Sequence, residues 1–272
     1  MPGLDENADV WARQWDWSDE GEQWSAWWGG TDAMWFGAVL PRIHAFVPAA
    51  RVLEIGPGYG RWTSRLRPLS GHLVLVDMTA RCIEHCRERF GDSAGIEYHV
   101  NDGRSLAMVD DESIDFVFSM DSLVHVESDV LHRYLDQLAR KLTPDGIAFL
   151  HHSNLGAYRT LTALARRVPP RLLRPLVRRG LAVDLFAWRA ESVTAQGVAN
   201  QCARAGLACV SQETISWEFG RFQIDALSVV TRPGSRWHRP TRLAANPGFG
   251  AEARRVAALY AAAGSTNPGR AG

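Results

Sequence analysis

This chain of 272 residues has a single lysine, a formal net charge of zero and no long apolar stretch. Lys141 is the only lysine, so arginine supplies nearly all of the positive charge. The 30 basic and 30 acidic residues cancel, which argues against a protein that mainly holds nucleic acid, because that task needs a basic surplus. Without any run of about 18 apolar residues, the sequence predicts no membrane-spanning helix.

Cysteine is also rare. Cys82, Cys86, Cys202 and Cys209 do not make a disulfide framework in a chain of this length. The acidic N-terminus has no apolar core and does not read as a secretory signal. We therefore expect a cytoplasmic protein, and a hydrophobic fraction of 46% is enough for one large domain with additions.

Tryptophan, in contrast, is abundant, since seven of the 11 tryptophans lie between Trp11 and Trp35. Trp11 and Trp15 stand four apart, as on one helix face, and the Gly29–Gly30 pair interrupts the segment. We interpret residues 1–48 as a helical leader. It either covers a ligand as a lid or packs onto the domain or onto a second subunit of a homodimer.

Short apolar strands alternate with helical segments in the next part of the chain. The apolar runs are 51–55, 72–76, 96–100, 114–119 and 147–151. Strands separated by helices pair in parallel, and continuous apolar strands suit a sheet that is covered on both faces. The pattern predicts an α/β fold whose core is residues 49–155.

The remainder of the chain breaks this rhythm before completing the sheet. We interpret residues 156–190 as a basic helical insertion, or lid, and residues 191–234 as the completion of the sheet. Residues 235–272 form a C-terminal extension whose last few residues we expect to be poorly ordered. The arginines of the insertion predict the solvated face of amphipathic helices, in preference to a site for an anionic substrate or a membrane surface. They are Arg166, Arg167, Arg171, Arg174, Arg178 and Arg179.

A glycine turn follows the first apolar strand directly. Gly56, Gly58 and Gly60 occupy alternate positions before a helix. Glycine allows positive φ and close approach to a ligand, and the next helix offers free N–H groups at its start. Arg61 stands where a nicotinamide-dinucleotide turn has its third small residue, which disfavours an oxidoreductase.

Acidic residues stand at the ends of the next two strands. Asp77 ends the second strand, where a carboxylate can accept both hydroxyls of a ribose, and Asn101-Asp102 end the third. Each acid alone is more often a turn residue. Together with Glu54 at the end of the first strand, acids at three successive strand ends predict a site for a nucleoside-type ligand.

An ordered set of motifs therefore runs through the core: EIGPGYG at 54–60, Asp77, Asn101-Asp102, IDFVFSMDSLVHV at 114–126 and LTPDGIAFLHHS at 142–153. It resembles the motif set of class I S-adenosylmethionine-dependent methyltransferases, closely over 50–155 and by topology over 190–232. The resemblance implies a Rossmann-like seven-stranded sheet of order 3-2-1-4-5-7-6 with an antiparallel seventh strand. Within the family, the sequence looks closest to bacterial sugar and natural-product O-methyltransferases.

The same resemblance implies a set of cofactor contacts. Glu54 and the glycine loop face the methionine part of S-adenosylmethionine, Asp77 faces the ribose, and Asp102 faces the adenine. The residues assigned to the cofactor are Glu54, Gly56, Pro57, Gly58, Gly60, Asp77, Asp102, Gly103 and Met120.

The loop after the fourth strand borders the transferred methyl group in this fold. A hydroxyl acceptor must lose a proton, which favours a positioned base, and histidine suits that role best. We predict His125 as the general base, with Asp121 and Glu127 to orient it or to bind a sugar hydroxyl. The alternatives are a packing histidine and solvated loop carboxylates.

Candidate acceptor contacts follow the fifth strand. Of His151 and His152, one points into the site and the other away, because neighbours alternate along a strand. His152 and Asn154 share a parity and are assigned to the acceptor together with Trp28 of the leader. Mg²⁺ is a further candidate cofactor, although no spacing here is diagnostic of a metal site.

The sequence thus predicts S-adenosylmethionine-dependent O-methylation of a saccharide or related polar metabolite, with a small-molecule or oligosaccharide partner. One alternative is N- or C-methylation of a small natural product. Another is a module that binds S-adenosylmethionine without catalysis.

Overall fold

A computed structural model describes residues 3–92, 94–217 and 221–263, and within them a single sheet contains eight strands. Their order across the sheet is β3-β2-β1-β4-β5-β7-β6-β8. The strands are β1 (Ala49–Ile55), β2 (Ser70–Asp77), β3 (Ile96–Val100), β4 (Ile114–Ser119), β5 (Leu142–Ser153), β6 (Ala208–Ile215), β7 (Asp225–Thr231) and β8 (Arg242–Asn246).

The predicted Rossmann-like order is found for the first seven strands, and β7 is antiparallel to both of its neighbours. The expectation of seven strands is wrong, because β8 pairs in parallel with β6, from Ser211↔Arg242 to Ile215↔Asn246. β8 lies in the C-terminal extension and is largely exposed. Backbone pairing at a sheet edge builds it, so no apolar run in the sequence signals it.

Strand alternation explains how the sheet is buried on both faces. Val52 and Leu53, which are neighbours on β1, point to two different hydrophobic clusters. The same division separates Phe116 and Phe118 of β4 from Val117 between them. Because both faces of these strands are covered, their sequences are continuously apolar.

Helices cover both faces. Helices α2, α3, α5 and α10 contribute buried residues to one cluster, and α6 and α9 contribute buried residues to the other. The α-helices are α1 (Leu4–Asp9), α2 (Thr31–Met34), α3 (Leu40–Ile43), α4 (Thr63–Leu66), α5 (Ala80–Phe90), α6 (Ser128–Lys141), α7 (Arg159–Ala165), α8 (Pro170–Arg178), α9 (Ala195–Arg204) and α10 (Phe249–Ala262).

The additions to the core have their own local packing. The leader contains α1 and a 3₁₀ helix, Glu22–Trp28, and the insertion contains α7 and α8. None of the helices in the described residues is long and apolar enough to cross a membrane. The prediction about the last few residues falls on 264–272, which lie outside the described part of the chain.

Candidate functional site

A cleft of about 870 Å³, including the part open to solvent, lies at the carboxyl edge of the sheet. The glycine turn, the ends of β2 and β3 and the loop after β4 form its walls, and leader residues complete the lining. Open α/β sheets bind ligands at this edge. We call this space the first cleft.

The glycine turn reaches the first cleft through Gly56 and Gly58, which have φ of 72° and 56°. A Cβ atom on Gly56 would lie 1.9 Å from the Ser122 hydroxyl oxygen, and one on Gly58 would lie 2.8 Å from the Trp17 ring. Both positions therefore require glycine for conformation and for space. The backbone of this turn, rather than a side chain, is what the cleft presents.

Asp77 lies at the end of β2, is buried and lines the first cleft. Among the described residues at the ends of β1, β2 and β3, it is the one carboxylate that does so. Its Oδ1 accepts hydrogen bonds from the Thr79 N–H and hydroxyl, both at 2.9 Å, and its Oδ2 lies 3.3 Å from the Gly58 N–H. Burial raises the pKa of Asp77 against these hydrogen bonds. These contacts fix the carboxylate where a ligand hydroxyl can reach it.

At the end of β3, Asn101 and Gly103 line the first cleft, and Asp102 does not. Asp102 is exposed, and its Oδ1 accepts from the Arg104 and Ser105 N–H groups at 2.9 and 2.7 Å. The assignment of Asp102 to the ligand is therefore not supported by its position. The side chain caps its own turn and does not line the cleft.

Three tryptophans of the leader line the first cleft: Trp11, Trp17 and Trp24. Trp17 stacks on Tyr59 of the glycine turn, with ring centroids 4.6 Å apart. Its indole N–H donates to the Trp11 carbonyl at 3.0 Å, so a hydrogen bond within the leader fixes the ring that packs on the turn.

A second cleft adjoins the first and has a volume of about 1010 Å³, including open space. Asp121 and Trp24 line both clefts and form their common wall. The rest of the second cleft combines aromatic and charged side chains from distant segments. They are Trp27, Trp217, Phe222, Asp184, Arg189 and Arg221.

A largely buried series of charged groups, here called the charged series, connects the two clefts. Arg61 pairs with Asp121, Asp121 Oδ1 lies 3.2 Å from His151 Nδ1, and His151 Nε2 lies 3.2 Å from Asp225 Oδ2. Arg189 Nε lies 2.7 Å from Asp225 Oδ1 and closes the series. When His151 is protonated, charge alternates along this series, and this alternation offsets the cost of burying each member.

The series sets the ionisation of its members. Burial disfavours the Asp121 carboxylate, but the Arg61 charge and a hydrogen bond to His151 outweigh it and hold its pKa well below the usual range. Asp225 behaves likewise beside Arg189 and His151. Burial would lower the pKa of His151, but the carboxylates of Asp121 and Asp225, at 3.2 Å on either side of the ring, raise it.

The His151 ring can bond in either protonation state. Its Nδ1 lies 3.1 Å from the Asp121 backbone N–H, from which neutral Nδ1 accepts. It also lies 3.2 Å from the Asp121 carboxylate, to which protonated Nδ1 donates. Asp121 itself has φ of 65°, an uncommon conformation for a residue other than glycine, and such strain is frequent at functional sites.

His125 is not part of the charged series, but it lines the first cleft. Its Nδ1 is 2.7 Å from the Trp188 carbonyl oxygen, and because a carbonyl only accepts, Nδ1 carries the proton and Nε2 has a free lone pair. Rings of Trp11 and Trp188 lie at 5.1 and 5.4 Å from the imidazole. Burial lowers the pKa of His125 to about 3, so the ring is neutral at physiological pH.

One stretch of the chain matches the model of a known protein family. The family model described as a methyltransferase domain matches residues 52–146, which contain the glycine turn, Asp77 and Asp121. Residues 52–146 therefore form a methyltransferase domain. The sequence predicts S-adenosylmethionine as the cofactor of this domain.

Curated relatives match this chain over a short length. Phosphoethanolamine N-methyltransferase 1 from Triticum aestivum is 29% identical over 118 residues, 42% of this chain and 24% of that protein. A methyltransferase from Claviceps purpurea is 30% identical over 95 residues, 35% of this chain and 29% of that protein. The matched part is therefore only about a quarter of the length of these curated relatives.

Solved structures share the fold. A protein from Pyrococcus horikoshii superimposes with a TM-score of 0.52 at 18% identity, over 82% of this chain and 95% of that chain. An S-adenosylmethionine-dependent methyltransferase from Mesorhizobium loti has a TM-score of 0.50 at 18% identity, over 71% of this chain and 96% of that chain. At this identity the likeness shows the architecture of the methyltransferase domain.

The residues of the first cleft fit the cofactor. The turn at Gly56 and Gly58 is a cradle that a Cβ atom would fill, Asp77 offers a buried carboxylate for ribose hydroxyls, and Met120 and Tyr134 offer an apolar wall. Pro57 and Gly103 also line it. Two assigned residues lie behind the wall: Gly60 packs against Phe90, and Glu54 accepts from the Thr63 hydroxyl at 2.6 Å.

Three residues assigned to the acceptor lie outside both clefts of the methyltransferase domain. Trp28 is fully buried and packs edge-on against Phe249 at 5.2 Å, because its face of the leader points to the core. The ring of His152 bonds the Ser228 hydroxyl at 2.7 Å and is fully buried, since it is His151 that faces Asp121. Asn154 has its amide bonded to backbone groups of Gln223 and Ala195.

Glu127 is also displaced from its predicted position beside His125. Its carboxylate accepts hydrogen bonds from the N–H and hydroxyl of Ser192 at the surface, so it ties the start of α6 to the segment before α9. Within the described residues, no group of three or more His, Cys, Asp or Glu side chains is placed to hold a metal ion. Asp121, Glu127 and His152 therefore do not form a Mg²⁺ site together.

Four residues of the charged series were not predicted as site residues: Arg61, His151, Arg189 and Asp225. The sequence left His151 and His152 as alternatives, and strand parity alone could not choose between them. Asp225 is a fully buried charge at the start of an apolar strand, which is a signal that a polar partner must exist. Its partners, Arg189 and His151, are remote in sequence.

Proposed function

We propose that the protein transfers a methyl group from S-adenosylmethionine in the first cleft to a small polar acceptor in the second. The observation that carries this proposal is the shared wall, because Asp121 and Trp24 line both spaces. The cofactor supplies an already activated methyl group when it is bound. The task of the chain is therefore to align the acceptor, exclude water and take up a proton.

In this proposal Asp77 would hold the ribose hydroxyls and the turn at Gly56–Gly58 the methionine part, with Gly103 and Met120 beside the adenine. The leader tryptophans act as a lid that keeps water from the reacting groups. Trp17 and Trp24 support this role, since both line the first cleft. Trp17 stacks on Tyr59, and Arg61 lies over the Trp24 ring.

We further propose that the acceptor is a hydroxyl group of a saccharide or a related polar metabolite. The tryptophans of the second cleft offer flat apolar faces, which suit the C–H faces of a sugar ring. Asp121 and Asp184 offer carboxylates that accept hydrogen bonds from hydroxyls. Asp121 orients the nucleophilic hydroxyl because it stands at the boundary with the first cleft.

Two groups compete for the role of proton acceptor. His125 has a free Nε2 lone pair beside the first cleft, as the sequence predicted, but a pKa of about 3 makes it a weak base. His151 has a raised pKa and a partner for Nδ1 in each protonation state. A proton that Asp121 accepts from the hydroxyl can thus rest on His151.

N-methylation of an amine is a second candidate. Four aromatic side chains and two carboxylates in the second cleft also suit a cation, through cation–π contacts and ion pairing. The Triticum aestivum relative is named as a phosphoethanolamine N-methyltransferase, and Arg189 and Arg221 both line the second cleft, where a guanidinium can meet a phosphate. The charged side chains that line the second cleft suit both a hydroxyl acceptor and an amine acceptor.

An acceptor panel with radiolabelled S-adenosylmethionine tests both proposals. We expect labelled product from hydroxylated acceptors such as free sugars and glycosides. Product only from amines, including phosphoethanolamine, would replace O-methylation by N-methylation. Cofactor binding by calorimetry with no product from any acceptor would favour a module without catalysis, and no cofactor binding would refute the assignment of the first cleft.

A further inference from the structure

The basic insertion has an extreme local charge in a chain that is neutral overall. Residues 155–186 contain seven arginines, no lysine and a single acidic residue, Asp184. Within the described part of the chain, Arg166 is the member that pairs with a carboxylate, that of Glu191. The positive charge of this segment is therefore almost uncompensated by its surroundings.

The same segment exposes large apolar side chains. Five of the ten large hydrophobic residues that are exposed in the described residues lie between positions 161 and 186, with 42 to 57% of each residue accessible. Such residues cost little singly, but a concentration of them marks an interaction surface. They are Leu161, Leu164, Leu172, Leu181 and Phe186.

These side chains sit on an ordered support. α7 and α8 share a small hydrophobic cluster of their own, built on Ala165, Leu173 and Val177. Arg171, Arg174 and Arg178 are spaced three and four apart on α8, so they share one exposed helix face beside that cluster. Arg174 lies over the Phe186 ring at 4.4 Å, which brings basic and apolar groups together.

We propose that this surface, α7 and α8 with the loop to Phe186, docks on the anionic interface of a lipid bilayer. A bilayer interface accepts leucine and phenylalanine side chains below its headgroups and arginine side chains at them, which matches the two components found here. A nucleic acid would use the arginines and leave the leucines in water. A helix face of this kind lies on a membrane and does not span it.

The surface adjoins the second cleft. Val177, Gly180, Ala182, Asp184 and Ala187 of the same segment line that cleft. If the cleft takes the acceptor, as proposed above, docking brings its wall to the bilayer surface, where a membrane-associated acceptor would be delivered. The docking itself does not depend on the acceptor, and its test needs no methyl transfer.

Co-sedimentation of the full chain with vesicles tests the proposal. We expect binding about tenfold stronger to vesicles of phosphatidylcholine with phosphatidylglycerol than to phosphatidylcholine alone, and weakening as salt is added. Equal binding to both kinds of vesicle, or no binding to either, would overturn the proposal. A concentration-dependent dimer without vesicle binding would show that a second copy covers the surface instead.

Matched variants locate the contact. The triple variant Arg167→Glu, Arg171→Glu, Arg178→Glu should lose at least tenfold in affinity for anionic vesicles, while Arg239→Glu, Arg254→Glu, Arg255→Glu changes the same number of exposed arginines elsewhere and should lose far less. Leu172→Gln should weaken binding severalfold and Leu243→Gln should not, although both leucines are exposed. Equal losses within either pair would refute docking through this surface, and cofactor affinity reports that each variant is folded.

Discussion

The two clefts share a wall but are built in different ways. The first is formed mainly by the ends of β1, β2 and β3 and by the loop after β4, which are successive elements of one repeated pattern. The second draws on the leader, the insertion and the segment before β7, which are far apart in sequence. The difference teaches that a cofactor site can be inherited with the fold, whereas an acceptor site is assembled from additions to it.

Asp121 gives the sharpest test of the shared wall. Asp121→Asn should reduce turnover by about 10²–10⁴-fold, because the carboxylate faces both clefts, and should change S-adenosylhomocysteine affinity far less. Glu127→Gln is the matched control from the same loop and should stay within severalfold, since Glu127 bonds Ser192 at the surface. Equal losses from the two changes in steady-state assays would break the division into two clefts, and thermal unfolding separates folding from catalysis.

Gly56 tests whether the first cleft depends on backbone geometry. Gly56→Val should lower S-adenosylhomocysteine affinity by about 100-fold or more, because a side chain there collides with Ser122 and is strained at φ of 72°. Gly95→Ala, where an added Cβ meets nothing closer than 3.9 Å, is the control and should bind normally. Wild-type affinity in Gly56→Val by calorimetry would contradict the cradle.

Glu54, which lies behind the wall of the first cleft, tests how the support of that cleft responds to pH. Burial raises its pKa from 4.5 to about 8, so the stability that the protonated group contributes below pH 4.5 is lost as pH rises toward 8. Glu54→Gln removes this loss. We expect its free energy of unfolding to gain on that of the wild type by about 1.4 kcal/mol per pH unit across that window, measured by urea denaturation without cofactor. A constant difference between the two proteins would show that Glu54 is ionised throughout.

His151 sharpens the comparison from the acceptor side. If it takes the proton, activity should fall as pH drops through its raised pKa, and His151→Asn should lose about tenfold in turnover and flatten that limb. His125, with a pKa of about 3, titrates far below this range, so His125→Asn should keep the limb. A limb that survives in His151→Asn and disappears in His125→Asn would return the role of base to His125.

The smallest effect is expected at Asp102. Asp102→Asn should change S-adenosylhomocysteine affinity by less than about threefold, because the exposed side chain caps a turn and an amide oxygen can still accept there. Asp77→Asn, one strand away, should weaken binding much more, since its carboxylate is buried and lines the cleft. Similar affinities for the two variants would mean that strand-end position alone, and not orientation, defines the first cleft.

Much of the first cleft could be predicted from the sequence. An apolar strand that runs into Gly56 and Gly58 can only turn at the sheet edge, and Asp77 ends the adjacent strand. Asp102 shows where this reasoning stops, because a residue at a strand end can point into the cleft or into its own turn. Glu127, His152 and Trp28 show the same limit. Glu127 and Trp28 each lie within two residues of a side chain that lines a cleft, and His152 follows His151 of the charged series, yet each faces elsewhere or packs in the core.

The sequence by itself determined the alternation of strands and helices, the glycine cradle and the buried acid beside it, because these depend on local periodicity and on contacts between successive strands. Only the tertiary structure decided that His151 rather than His152 faces Asp121, that Arg189 meets Asp225, and that β8 extends the sheet. Those contacts join segments separated by tens of residues, and their energies come from burial and charge pairing that exist only after the chain has folded.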